Sequence, residues 1–244
     1  MIRVSSFTFV RNLEELAAIP PGKRLINTLN AYSFVVAQRD PAFVEALRGG
    51  DYLLPDGYGM IWASRRVKME HAPERRIAGW DLFSFEMERL NASGGGKVLF
   101  FGSSETVLEK IRERCAADYP NLTVDTYSPP YKPEFSEEDN AACIRAINDS
   151  NPDLLWIGMT APKQEKWTWA HWNELNIHCH CGTIGAVFDF FAGTIQRAPV
   201  SWQKHGFEWL YRAIKEPRRM LPRTLTYPRF HFLVLRERLS RKKD

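Results

Sequence analysis

The chain of 244 residues has no apolar run approaching the roughly 20 residues needed to cross a bilayer. Its opening, "MIRVSSFTFVRNLEEL", sets acidic residues directly behind a very short apolar segment, so no secretory signal is expected and the expected compartment is the cytoplasm. G-x-G-x-x-G is missing, which disfavours a nicotinamide-dependent dehydrogenase. Asp-x-Asp is missing too, so nothing resembles the pair that holds a divalent metal against a nucleotide diphosphate. Cysteine is scarce, at four residues, and simplest to read as reduced cytosolic thiols. Two of them fall in "HCHCG" at 178–182, which looks like a metal box. That segment reads as a strand, however, and alternate side chains of a strand face opposite ways. Cys179 and Cys181 would point to one face and His178 and His180 to the other, so no tetrahedral site is expected.

Acidic residues are nearly absent from one region. From Tyr211 to Asp244 there are 11 Lys or Arg against 3 Asp or Glu, a balance of +8, which leaves −4 for everything before it. So local a basic block points to a phosphate-rich partner: nucleic acid, an anionic membrane surface or a diphosphate substrate. Trp202, Phe207, Trp209, Leu210, Phe230, Phe232 and Leu235 add apolar surface beside the charges, a mixture suited to an interfacial segment on anionic lipid or to helices closing on the core. Pro217, Pro222 and Pro228 should break this region into short pieces, and Glu208 can pair with Arg212 at i,i+4.

Elsewhere, strand-like runs at 24–30, 52–57, 97–102, 122–127, 153–158 and 177–185 alternate with amphipathic stretches at 32–48, 79–91, 104–118 and 136–148. The alternation predicts an α/β, Rossmann-like fold with a mainly parallel sheet and helices on both faces. Residues 1–197 form the expected core, and 198–244 a basic, aromatic helical appendage. Ligands of such sheets sit beyond the carboxyl ends of the strands. The residues there are Thr28 and Asn30, Asp56 and Gly57, Gly102 to Ser104, Thr160 to Glu165, and Gly185 with Asp189. Together they would line a crevice with a carboxylate, amides, hydroxyls and helix N-termini, suited to a phosphorylated, hydroxyl-rich ligand such as a nucleotide sugar.

"MTAPKQEKW" at 159–167 follows the apolar "DLLWIG" and reads as a helix start, with Thr160 as cap and Pro162 in the first turn. Lys163 then puts a cation at a positive helix terminus, which asks for an anion beside it.

"NTLN" (27–30), "LLPDGYGMIWASR" (53–65), "ERRIAGWDLF" (74–83), "PDLLWIGMTAPKQEKW" (152–167), "IGAVFDFFAGTIQRAP" (184–199) and "GFEWLYRAIKEPRRM" (206–220) resemble, in order and spacing, the WecG/TagA/CpsF family of bacterial glycosyltransferases. The resemblance implies an inverting, metal-independent hexosyl- or N-acetylhexosaminyltransferase with no cofactor. Its partners would be a UDP-sugar donor, a polyprenyl-diphosphate-linked sugar acceptor and the inner face of the plasma membrane, in surface polysaccharide, exopolysaccharide or teichoic acid synthesis; a homo-oligomer stays open. Asp56 matches the family's proposed general base. Thr28, Asn30, Arg76, Gln164 and Asp189 match its pocket, Lys163 would meet a diphosphate, and Arg212, Arg219 and Arg223 fall in the appendage thought to close over the acceptor diphosphate. Departures border that pocket: Thr160 and Ser103-Ser104 stand where members often have glycine, and "SPPYKPEF" where they have a Gly-Tyr-Phe segment. They bear on the donor sugar more than on the reaction. The alternative of another class, a nucleic-acid-binding protein using the tail, has no recognition motif behind it.

Overall fold

The computed structural model of the chain describes residues 2–199, 201–202 and 208–241. Six strands, β1 (Arg24–Leu29), β2 (Tyr52–Pro55), β3 (Gly96–Gly102), β4 (Leu122–Tyr127), β5 (Leu154–Gly158) and β6 (His180–Thr183), form one sheet in the order β2-β1-β6-β5-β3-β4. Every pairing is parallel. The expected α/β class and parallel sheet are therefore present.

Period-two alternation sorts each strand's side chains between two helical layers. Ile26, Val98, Phe100, Leu154 and Trp156 join one cluster, with α5 (Gly79–Ala92), α6 (Glu105–Asp118) and α9 (Val187–Phe191). Leu25, Leu99, Phe101, Leu155 and Ile157 join the other, with α7 (Glu137–Ser150) and α8 (Lys163–Ala170). Because both faces are covered, the strands read as continuous apolar runs. Gly182 of β6 is required by this packing: a Cβ there would lie 2.4 Å from the Trp156 ring.

A third cluster closes the β2 end. It gathers Leu29, Leu53, Phe34 of α2 (Ala31–Ala37), Phe43 of α3 (Pro41–Gly49) and Met60 of α4 (Tyr58–Arg66). The expected single stretch 32–48 is two helices. Asp40 caps the second by accepting the Phe43 N–H at 3.0 Å, and Pro41 occupies its first turn, so the chain must break there. A short α1 (Leu13–Ala17) precedes β1.

After α9 the chain reaches α10 (Glu208–Lys215), α11 (Pro217–Thr224) and α12 (Tyr227–Ser240). Pro217 and Pro228 stand in the first turns of α11 and α12 and so divide the region as expected, but Pro222 lies inside α11 and does not end it. Phe230, Leu233 and Val234 of α12 belong to the third cluster. Phe230 is 1% exposed and meets Phe34 edge-to-face at 5.8 Å, so it is core and not membrane surface, which corrects the sequence expectation. The Glu237 carboxylate, also buried, accepts the N–H groups of Val4 and Ser5 at 2.6 and 3.0 Å, tying the last helix to the N-terminal segment. Phe207 lies outside the described residues.

The His and Cys residues of 178–182 divide as strand geometry requires. Cys179 and Cys181 enter the second cluster. His180 faces the opposite layer, its Nδ1 2.9 Å from Glu86 Oε1 and its Nε2 3.0 Å from the Pro20 carbonyl, while His178 is exposed.

Candidate active site

β1, β2 and β6 end along the same edge of the sheet, and the residues that follow them meet in a cavity of about 390 Å3. Thr28 and Asn30 come from the end of β1, Asp56 from the end of β2, and Ile184 and Ala186 from the end of β6. The far wall is the tail: Glu208, Trp209 and Arg212 of α10, Arg223 of α11, and Tyr227 of α12.

Local structure places each polar group. Asn30 caps α2, its Oδ1 accepting the Ser33 N–H at 2.9 Å, which turns its Nδ2 toward Asp56 Oδ2 at 3.4 Å. The Asp56 N–H donates to the Leu29 carbonyl at 2.9 Å, continuing the β1–β2 ladder to its last residue. Gly57 then turns the chain at φ +86°, a left-handed conformation in which a side chain would be strained, and α4 begins. The Asp56 carboxyl lines the cavity and is partly exposed. Burial raises its pKa, Arg76 and the Asn30 hydrogen bond pull the other way, and Glu208 and Asp81 add to the rise.

Around it stand arginines. Arg76 Nη1 lies 3.1 Å from Glu208 Oε2 and Nη2 4.0 Å from Asp81 Oδ2. Burial opposes its charge, but Asp56, Asp81 and Glu208 outweigh that and raise its pKa. Arg197 Nε sits 3.6 Å from Glu208 Oε1, its guanidinium 4.8 Å from the centre of the Trp80 ring. Arg212 lies over Phe190 at 5.2 Å and Arg223 over Tyr32 at 5.0 Å. Burial, then the like charges of Arg219 and Arg212, lower the pKa of Arg223. Guanidinium groups disfavoured by burial and by each other gain most from an incoming anion.

Six of the residues singled out from the sequence therefore share one cavity: Thr28, Asn30, Asp56, Arg76, Arg212 and Arg223. Four do not line it. Arg219 and Asp189 pair with each other at 3.6 Å. Gln164 is buried, donating from Nε2 to Glu165 Oε1 at 2.8 Å, with its Oε1 packed close to Gly185, whose neighbours line the cavity. Lys163 points elsewhere: its ammonium donates to the Lys132 carbonyl at 2.5 Å and lies 3.5 Å from the centre of the Phe135 ring. Within the fold, the cation in the first turn is met by a carbonyl dipole and an aromatic face. Thr160 is not the cap either. Its carbonyl accepts the Lys163 N–H at 2.9 Å, Pro162 holds the cap position, and the helix begins at Lys163.

The local pair expected between Glu208 and Arg212 is replaced. Glu208 turns to Arg76 and Arg197, while Arg212 Nε lies 3.4 Å from Glu216 Oε1. Sequence reading missed Arg197 and Glu208 as site residues, since the Arg76–Glu208 contact spans 132 positions and no local spacing signals it. It missed Tyr227 and Trp209 as well, though their place among tail aromatics beside arginines was a signal. Among the described residues, no group of three or more His, Cys, Asp or Glu is arranged to hold a metal ion.

Comparison with known proteins adds three relatives and one family. A family model described as "Glycosyl transferase WecG/TagA/CpsF family" matches residues 1–244. An N-acetylglucosaminyldiphosphoundecaprenol N-acetyl-beta-D-mannosaminyltransferase of Bacillus subtilis (strain 168) is 28% identical over 89% of this chain and 81% of its own length. Enzymes of the same name from Bacillus spizizenii and from Staphylococcus aureus (strain MW2) are 28% identical over 96% and 89% of this chain, and over 88% and 82% of their own lengths.

Proposed function

The chain belongs to the WecG/TagA/CpsF family of glycosyl transferases, and from that premise we propose that it transfers an N-acetylhexosaminyl group from a UDP-sugar to a polyprenyl-diphosphate-linked sugar, with Asp56 as general base. The observation that carries the assignment is the Asp56 carboxyl, raised in pKa by burial and free of a direct ion pair among the described residues, in a cavity whose wall carries arginines. The relatives' names supply the substrate class: an N-acetylmannosaminyl donor group and an N-acetylglucosaminyl diphosphoundecaprenol acceptor.

Asp56 takes the proton of the acceptor hydroxyl as that oxygen attacks the anomeric carbon from the face opposite UDP. The bond from the anomeric carbon to the diphosphate oxygen breaks, its electron pair leaves on UDP, and configuration inverts. Arg212 and Arg223 present guanidinium groups to diphosphate charge on the tail side of the cavity, and Thr28 and Asn30 offer hydrogen-bond donors to the sugar. Gln164, Lys163, Asp189 and Arg219 act at the margin: Gln164 beneath the loop after β6, Lys163 at the 132–135 segment, and the Asp189–Arg219 pair in fixing α11. No step needs a divalent ion, because guanidinium groups supply the positive charge.

The tail extends the assignment to the membrane. Ile214, Leu221, Leu225, Phe232, Leu235 and Leu239 are exposed among exposed Lys215, Arg218, Arg229 and Arg236, a surface fitted to anionic lipid, where the acceptor's polyprenyl chain resides. Nothing observed favours the nucleic-acid reading, and two of the tail's basic residues, Arg212 and Arg223, face the cavity. Incubation with radiolabelled UDP-N-acetylhexosamines and a short-chain lipid-diphosphate acceptor, with and without chelator, tests the proposal. Label in the lipid product that persists in chelator is expected. Label released only as free sugar, or transfer strictly dependent on added Mg2+ or Mn2+, would overturn it.

A further inference from the structure

The site holds one carboxylate more than the transfer reaction requires. Glu208 is supplied by the first residue of α10, is buried to about four-fifths, and lies between two guanidinium groups, 3.1 Å from Arg76 Nη1 and 3.6 Å from Arg197 Nε. Arg76 is the cation whose field acts most strongly on Asp56, yet its ion pairs go to Glu208 and Asp81. Among the described residues, the Asp56 side chain has the long hydrogen bond from Asn30 and no ion pair. A base bonded to a free guanidinium would be held in its ionised form and would be a poor proton acceptor.

We propose that Glu208 is a positioning residue for the base: by engaging Arg76 from the tail it keeps that guanidinium off Asp56, so the tail completes the basicity of the site as well as its wall. This rests on the reading of Asp56 as general base. The charges around Asp56 set the sign. From the core come Arg76 and Asp81, from the segment after α9 Arg197, and from the tail Glu208, with the Tyr227 hydroxyl coupled to Asp56 as well. Arg212 and Arg223 lie farther along the tail wall, against Phe190 and Tyr32. Glu208 is the carboxylate of this set that arrives with the tail, and its charge raises the pKa of Asp56.

Glu208→Gln preserves shape and hydrogen-bonding reach to Arg76 while removing the charge. The sign follows directly. With one negative neighbour gone and Arg76 less neutralised, the Asp56 pKa falls, so the acidic limb of the kcat/KM profile moves to lower pH. The expected shift is about half a unit or more, the size of one nearby charge partly screened. The plateau rate should fall several-fold, as a weaker base accepts the proton less readily. Glu208→Asp keeps the charge and should return the limb to within about 0.2 unit of wild type, whatever its effect on rate. A carboxylate serving only as a structural latch predicts loss of rate in both variants with the acidic limb unmoved. That result overturns the inference. Carbon-13 NMR titration of the Asp56 carboxyl in wild type and Glu208→Gln reads the same shift without turnover, and coincident curves would overturn it equally. Asp56→Asn separates this outcome from failure of the parent assignment. If that variant keeps the rate and the limb, Asp56 is not the base; if it abolishes transfer while Glu208→Gln leaves the limb in place, only the role of Glu208 fails.

Discussion

Asp56 and Glu165 are both carboxyls taken out of bulk water, and they are set for different ends. Asp56 opens onto the cavity, where a proton can arrive and leave. Asp56→Asn should lower transfer by roughly 10²- to 10⁴-fold, the usual cost of losing a general base, with UDP binding and thermal midpoint nearly unchanged. Retention of more than about a third of the wild-type rate would remove the residue from that role. Glu165 does not line that cavity. It is 1% exposed and has one oxygen with no hydrogen bond among the described residues, so burial outweighs the Gln164 amide and a backbone N–H and pushes its pKa from 4.5 up to about 7. The folded chain therefore holds a proton that the unfolded chain releases near 4.5. Stability from this group is complete below that value and is lost as pH rises toward about 7, by about 3 kcal/mol in all. Glu165→Gln keeps an acceptor for Gln164 and has nothing to titrate. Urea midpoints at pH 5 and pH 8 should show the variant gaining on wild type at the higher pH, and parallel midpoints would contradict the protonated carboxyl.

At the level of elements, legibility followed the range of the interactions. The runs at 97–102 and 153–158 correspond to β3 and β5 almost residue for residue, because strands covered on both faces must be apolar throughout. The stretch at 177–185 shrinks to His180–Thr183, since His178 and Cys179 precede the ladder. Helix α4 was not read at all, as "GYGMIWASRR" mixes glycine, aromatic and basic residues and earns its helicity from packing of Met60 and Ala63. The tail was read by composition, which reports charge and aromaticity but not facing. A facing signal was present: Phe230, Leu233, Val234 and Glu237 fall at i, i+3, i+4 and i+7, the stripe of a helix with one buried side. Thr28, Asn30 and Asp56 were legible because strand ends point to the site, and the Glu208–Arg76 contact was not, because it depends on where the tail folds back. Since α12 belongs to the core, Phe230→Ala should destabilise the protein by about 3–5 kcal/mol, as for other buried phenylalanines. Deletion from Glu216 onward should leave an unfolded or aggregated chain, to be checked by calorimetry and light scattering. A cooperative melt near the wild-type midpoint would show instead that α12 is dispensable to the core.

For the whole molecule, the arrangement of charge and apolar surface decides how a protein with no membrane-crossing helix among its described residues meets a lipid-borne substrate. The chain is −4 up to Leu210 and +8 beyond it, so on the proposed membrane contact an anionic surface would orient the molecule tail first. Leu225, Phe232 and Leu239 are 78%, 62% and 62% exposed on that side, and they can enter the headgroup region while Arg212 and Arg223 stay turned to the cavity. Both terms should be measurable apart. Replacing Lys215, Arg218, Arg229 and Arg236 together with Gln removes four charges worth on the order of 1 kcal/mol each at an anionic surface, so affinity for vesicles rich in phosphatidylglycerol should fall by two to three orders of magnitude at low salt. Added salt screens what those charges contribute, and the gap between variant and wild type should narrow as ionic strength rises. Replacing Leu225 and Phe232 with Ser should weaken binding by an amount that salt does not change. Neither set contributes a side chain to the cavity, so turnover on a short, water-soluble acceptor should remain near wild type in both while turnover on vesicle-borne acceptor falls. Unchanged vesicle binding in both variants would place the membrane contact on another face.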